Sequence, residues 1–454
     1  MEDDVRVIQW STYSENAIEP LTMALVVIAC VLTLLLPRRT AILPMIAVAV
    51  LIPYPQRIVI GGIGFDMMRL VLICALARVL ARSEIGGLHL IRLDKLFLTW
   101  ATVMFIVPVL TGIDGLAQQL GFALDNIVEY LLIRCFLTDD KSFKPMVRTF
   151  VLLSIVVCAG MLVEQRIEKN LFYVLGSHMD VTVREGEIRA SAAFDHPILA
   201  GTFGAMMFPL TWVLCRGDRR DKTLWITGMM TSVLIVVMSK SSGPLYAFAA
   251  GLLAMGLWPF RQHIGRLRNA MWVTLILLQL VMAAPIWALF FRIPDSLGLV
   301  SGSTSYHRFE LIDLAVRHLG EWWLAGISID EVARWAWGIN DITNQFLFIG
   351  FSCGLLGIIL FIFVLVRGFS MVGRCVHQTF ENAGNQLVAI NAWAIGSLLF
   401  VHVMSFMSVS YSSGFWFFLN LSIALIPACC VSTETVGAPN VPIADPAPAI
   451  VDVI

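Results

Sequence analysis

Charge is what this chain has least of. Only 14% of its 454 residues are Asp, Glu, Lys or Arg, and the formal net charge is −1. A soluble domain carries about a quarter charged residues, so a charged surface wrapped round one apolar core is excluded as the main architecture. No basic face or aromatic–basic motif is present, which removes nucleic acid as a partner. Cysteine in polar segments is also missing. Cys30, Cys74, Cys158, Cys215, Cys353, Cys429 and Cys430 lie within or at the ends of apolar runs, and Cys135 and Cys375 flank basic loops. No disulfide framework is indicated, and no spacing suits zinc. Residues 1–19 are polar and acidic, without the basic region and cleavage site of a signal peptide. The first apolar run is therefore expected to act as an uncleaved anchor. No internal repeat is visible.

Apolar residues are what the chain has in excess: 58% are hydrophobic and the mean hydropathy is +0.82. They fall in runs of roughly 17–23 residues, long enough to cross a hydrocarbon core about 30 Å thick. The expectation is an all-α polytopic integral membrane protein with 12–13 transmembrane helices, the first at 20–36 and the last at 413–430. Arg38 and Arg39, Arg78 and Arg82, Lys141 and Lys144, Arg216 and Arg220, Arg261 and Arg266, and Arg367 and Arg374 fall on alternate connections. Those connections are expected to be cytoplasmic. The two long loops, 164–196 and 292–343, then share the opposite, outer face. The domain reading is a polar segment 1–19, a membrane domain 20–430, and a proline-rich tail 431–454 expected to be disordered.

The two outer loops gather the polar residues that could carry chemistry. In the first, Arg184 and Arg189 precede Phe194-Asp195-His196-Pro197. Proline is well tolerated at the first helical position, so Asp195 or His196 stands at a helix N-terminus, where amides and dipole favour anions. Arginine adds a planar fork suited to phosphate. A plain helix cap with arginines at headgroup level fits the same residues. In the second loop a helix over 305–319 carries Leu311, Leu314, Ala315 and Leu319 on one stripe, with His307 and Arg308 beside it. Trp322 and Trp323 read as an interfacial belt, and an amphipathic helix resting on the bilayer explains most of the segment. Next come Asn340 to Gln345, in which Asp341 is the one carboxylate: a proton acceptor near lipid, or a helix cap. Lys240 lies at the outer end of two spans. Within spans, Asp66 and Arg69 are placed to pair, as are Asp125, Glu129 and Arg134, and His402 reads as a core histidine.

Four stretches, taken in order, resemble the O-antigen ligase and polymerase (Wzy-like) family of bacterial envelopes. They are Arg189 with Phe194–Gly201, Ser239–Gly243, Tyr306–Phe309 followed by Leu324–Ile327, and Thr343–Leu347 with Gly354–Gly357. The resemblance implies glycosyl transfer at the periplasmic face of the inner membrane, from a polyprenyl-pyrophosphate-linked oligosaccharide donor to an acceptor hydroxyl, without metal, nucleotide or other cofactor. It implies that Arg189 and Arg308 hold the pyrophosphate, that Lys240 stands where the family commonly has arginine, and that Arg184, Tyr306 and Asn344 help to bind substrate. The family's ligases carry a histidine where this chain has Thr343. The base is then expected among Asp341, His196 and His307, and a polymerase of repeat units is favoured over a ligase. Further expected partners are the lipid bilayer and chain-length regulator or export proteins. Transport or flipping of envelope glycolipids is the alternative.

Overall fold

The computed structural model describes residues 18–54, 56–60, 63–184, 186–218, 220–282, 285, 287–288, 302–335, 342–381 and 386–430. These are 78% helical, and the strands among them form two short antiparallel hairpins, Arg57–Ile60 (β1) with Ile63–Asp66 (β2) and Thr182–Arg184 (β3) with Glu187–Arg189 (β4). The all-α class therefore holds. Among the described residues, six helices are long and apolar enough to cross a membrane: Arg92–Thr111 (α4), Phe143–Ile167 (α7), Pro197–Gly217 (α8), Trp258–Val281, Gln345–Thr379 and Gln386–Ser405. Shorter apolar helices are Pro20–Leu35 (α1), Lys222–Met238 (α9), Ser242–Gly256 (α10) and Gly414–Cys430.

α8 is the centre of the bundle. Pro197 occupies its first turn, as the sequence predicts, and the His196 imidazole caps it by accepting the Ile198 amide at Nδ1 (3.1 Å). Its small residues bring neighbouring backbones close. A β-carbon at Gly201 would meet Ser239 Oγ at 2.5 Å and Pro244 at 2.7 Å, and one at Gly204 would meet Ile235. α9, α10 and the helix Gln386–Ser405 (α16) pack round it, the small-residue packing that brings helices together where lipid offers no hydrophobic drive. Ile264–Val281 (α11) lies at the other extreme, with no buried residue.

The charged residues inside the bundle pair between helices rather than along one. The helix expected over 117–137 is broken by a π turn, Leu124–Val128, between Leu116–Ala123 (α5) and Glu129–Phe136 (α6). Arg69, on Met67–Ala81 (α3), reaches its expected neighbour Asp66 (3.2 Å) but holds Asp125 more tightly, at 2.6 and 2.9 Å. Arg134 pairs with Asp94 of α4 at 2.9 Å, and Glu129 accepts from Asn420 at 2.8 Å. The local grouping of Asp125, Glu129 and Arg134 is thus corrected: each has a partner on another helix. His402 is the core histidine expected, its two ring nitrogens 2.8 Å from Tyr411 Oη and 2.9 Å from Ser422 Oγ.

The segment 302–335 buries part of its apolar stripe against the protein. Its helix Gly302–Arg317 (α12) buries Leu311 and Ala315 in a second core with Trp322, Ile327, Val332, Ile342 and Phe351. Two short helices follow, Leu319–Trp322 (α13) and Ile329–Val332 (α14). Trp322, read as belt, is 3% exposed and donates its indole N–H to Ala315 O. Trp323 is the one left half-exposed. The anchor is a break in Gln345–Glu381 (α15) at Cys353 and Gly354, where Gly354 has φ +72°. The opened backbone pairs with the segment: Ile327 N–H donates to Phe351 O (2.7 Å) and Leu355 N–H to Trp323 O (2.8 Å).

Gly354 has no room for a side chain, since a β-carbon there would meet Leu324 and Trp323 backbone atoms at 2.7 Å. Gly354→Ala is expected to cost about 1–3 kcal/mol from the left-handed φ alone, and more from the clash. Gly373, whose β-carbon would meet nothing within 4 Å, serves as control: Gly373→Ala is expected to lie within about 0.5 kcal/mol of wild type. Thermal unfolding of both variants in detergent checks this.

Candidate functional site

Three connections meet at one end of the bundle: the hairpin Thr182–Arg184 (β3) to Glu187–Arg189 (β4) with the turn after it, the α9–α10 turn, and α12. Arg189 Nη2 donates to Ser241 Oγ at 2.6 Å, and Ser241 donates onward to Ser239 O at 2.8 Å. Arg308 approaches the same turn from α12, its Nη2 lying 3.8 Å from where a Gly243 β-carbon would stand. Ser408, in the connection before the last helix, packs against Gly243 as well. Sequence-distant arginines thus flank one serine- and glycine-rich turn.

The turn and the strand end are rigidly seated. Lys240 is left-handed at φ 45° and Ala192 at φ 51°, costly conformations for residues with a β-carbon. At Ala192 hydrogen bonds over-determine the conformation. Glu164 of α7 accepts the Ser191 N–H (3.0 Å) and the Ala192 N–H (2.9 Å). Asn170 donates to Ala192 O (2.8 Å), and Ala190 N–H donates to Met238 O (3.2 Å). Arg189 is therefore held by its neighbours' backbone, not by its own flexible stem.

Electrostatically the site is cationic, and its two inner arginines are buried. Arg308 is 8% exposed, and among the described residues its Nε has no hydrogen-bond partner. Burial is the main cause that drives it down to about 10; Tyr246 opposes this, while Arg184 and Arg189 add like-charge repulsion. His196 is pushed down to about 4, by burial first and then by Arg189 and Arg184. With Nδ1 spent on the helix amide, its neutral ring carries the proton on Nε2. It is a hydrogen-bond donor at neutral pH, and a poor base beside two guanidinium groups.

The remaining predicted residues are less central. Lys240 points back to Glu187 (3.2 Å), an exposed pair worth little. Asn344 is a helix cap: its Oδ1 accepts from Phe346 N–H (3.0 Å) and Leu347 N–H (3.2 Å). Tyr306 is 64% exposed, and His307 is half-buried on the turn beside Arg308. Arg184 lies exposed on β3, close enough for Arg308 and His196 to feel its charge. Asp341 lies outside the described residues.

Sequence reasoning passed over Ser241, Tyr246, Ser408 and Asp195 as site residues. Ser241 and Asp195 stand inside the motif stretches themselves, but nothing in the sequence brings Ser408 to Gly243. Tyr246 Oη and Thr343 Oγ1 are further buried hydroxyls without a partner among the described residues. No protein-family model matches the chain, and no curated protein is significantly similar to it.

The Glu164 clamp can be tested apart from any activity. Glu164→Gln replaces an acceptor oxygen with an N–H facing the Ser191 or Ala192 amide. Each buried amide left unsatisfied costs about 1–3 kcal/mol. Hydrogen exchange at residues 190–193 should accelerate about tenfold or more, while exchange in α8 stays unchanged.

Proposed function

We propose that the protein is a membrane glycosyltransferase of the Wzy-like polymerase type, using a polyprenyl-pyrophosphate-linked glycan as donor. The observation that carries this reading is the desolvated Arg308 guanidinium, whose Nε has no hydrogen-bond partner among the described residues, beside Arg189 at the Ser239–Gly243 turn. A buried cation repelled by like charges is stabilised by a polyanion, and pyrophosphate offers oxygens to both forks at once. The resemblance supports the same assignment, since its separated stretches supply Arg189, Ser241, Gly243 and Arg308 at one place and Gly326 and Gly354 at the joint behind Arg308.

In this reading the two guanidinium groups bind the donor diphosphate, and stabilise charge on the leaving pyrophosphate as the sugar passes to an acceptor hydroxyl. The four shorter apolar helices also cross the bilayer, as do Leu43–Leu51 (α2), α3 and the broken run of α5 and α6, giving twelve to thirteen spans according to whether α1 and α2 count as one or two. Residues 164–196 and 292–343 then face the periplasm from a bacterial inner membrane. Transfer onto a growing lipid-linked chain is favoured; transfer to a lipid or protein acceptor is the ligase form of the same chemistry.

A second reading, transport or flipping of an envelope glycolipid, draws on a different observation. Asp66, Asp125 and Glu129 are all buried among helices with Arg69 as the cation beside them, and buried carboxylates mark ion pathways in transporters.

Incubating purified protein with polyprenyl-pyrophosphate oligosaccharide and reading products by mass separates the two. The transferase reading expects elongated chains, lost about 10²–10³-fold in Arg308→Ala and in Arg189→Ala with the protein still folded in detergent. Near-normal elongation by both variants overturns the assignment. Translocation of the intact glycolipid across proteoliposomes without chain growth supports the second reading.

A further inference from the structure

Within the bundle, the start of α3, the π turn Leu124–Val128 with α6, and the last helix, Ser413–Cys430 (α17), enclose a polar cluster. Its carboxyl groups are Asp66, Asp125 and Glu129, which are 7%, 5% and 2% exposed, and the cation among them is Arg69. That guanidinium is fully engaged. It grips both carboxylate oxygens of Asp125 (2.9 and 2.6 Å), reaches Asp66 at 3.2 Å and donates to Gly64 O at 3.0 Å. None of these bonds goes to Glu129.

The charges that Glu129 senses are those of Asp125 and Asp66, both of its own sign. From α4 the nearby acid is Asp94, which Arg134 and Tyr130 hold at 2.9 and 2.6 Å. α17 carries no charged residue at all. A carboxylate kept from water without a cation is so costly that such a group takes up a proton instead.

A second observation points to the same proton. Asn420, two turns into α17, is completely buried. Its Nδ2 donates to Glu129 Oε1 at 2.8 Å and to Asp125 O at 2.9 Å, which uses both amide hydrogens. Its Oδ1 is buried too, and has no hydrogen-bond partner among the described residues. An acceptor left in that state is costly. The carboxyl group bonded to the same amide is that of Glu129. Ionised, it has only acceptors to offer; protonated, it has one O–H to give.

We propose that Glu129 and Asn420 form a proton-binding site. Glu129 holds one proton, its C=O accepting from Asn420 Nδ2 and its O–H donating to Asn420 Oδ1. Acid and amide then bond reciprocally between α6 and α17, and two carboxylates face Arg69 instead of three. The π turn before Glu129 is an irregularity common at functional positions in helices. Here it stands between a carboxylate bound to α3 and one bound to α17. The site shares no residue with the arginine turn, so it holds under either reading of function.

The test is infrared spectroscopy of the full-length protein in lipid nanodiscs, with glutamate labelled by carbon-13 at the side-chain carboxyl. At about pH 7, well above where a glutamate in water ionises, wild type should show a carboxylic-acid C=O band that the label shifts. Glu129→Gln should lose that band. Asn420→Leu, which removes the N–H donor, should move it to higher frequency. Absence of a label-sensitive acid band in wild type overturns the proposal. So does a band that survives Glu129→Gln, or one that Asn420→Leu leaves in place. A band that vanishes when sodium chloride replaces choline chloride also overturns it, since the pair then takes Na⁺ and not a proton. Stability gives a readout free of band assignment. The side-chain amide in Glu129→Gln can keep both bonds to Asn420, so this variant should melt within about 3 °C of wild type. Failure to fold, or melting far below wild type, shows that the charge of Glu129 is needed and overturns the proposal.

Discussion

A guanidinium group withdrawn from water beside two others is an expensive arrangement, and the site end of this molecule is built to enforce it. Arg308 loses hydration and gains repulsion from Arg184 and Arg189, and no carboxylate among the described residues pairs with it. Such a charge is tolerated where surrounding structure fixes it, or where a mobile anion completes it. Elsewhere in the bundle the chain treats buried charge differently. Arg69, Arg78 and Arg134 each hold a carboxylate at 3.0 Å or less. The contrast between paired arginines in the helical interior and Arg308, which holds no carboxylate among the described residues, is what makes Arg308 informative.

Two devices outside the site keep the arginines where they are. On one side, the Glu164 carboxylate gathers the amides after Arg189 and holds Ala192 left-handed. On the other, the break at Gly354 lets α15 trade helical hydrogen bonds for bonds to residues 323–327, so that α12 docks on the protein through Leu311 and Ala315. Buried apolar contact, left-handed backbone and cross-chain hydrogen bonds combine to place side chains from distant segments around Gly243. Small residues at Gly201 and Gly243 leave the space in which they meet.

Much of this was legible in the sequence, for reasons that are local. Long apolar runs announce helices, Pro197 announces a helix start, and the glycines of Leu324–Ile327 and Gly354–Gly357 mark positions where backbone meets backbone. Arginines in otherwise apolar surroundings mark the candidate site. What sequence does not reveal is pairing between helices. Asp125, Glu129 and Arg134 share one stretch and read as a self-contained group, yet their partners are Arg69, Asn420 and Asp94. Trp322 reads as interfacial because belts favour tryptophan; only the fold of 302–335 onto α15 shows it buried. Asn344 and His196 read as polar groups with a purpose, and the purpose visible in both is capping a helix.

The central claim is that the Arg189–Arg308 pair is an anion site for a lipid-borne diphosphate. It is tested most directly by an experimental structure of the protein with an undecaprenyl pyrophosphate in a lipid nanodisc. The account predicts both phosphates at the Ser239–Gly243 turn, one of them within hydrogen-bonding distance of Arg308 Nε. A diphosphate seated elsewhere, with Arg308 Nε still unpaired, would contradict it.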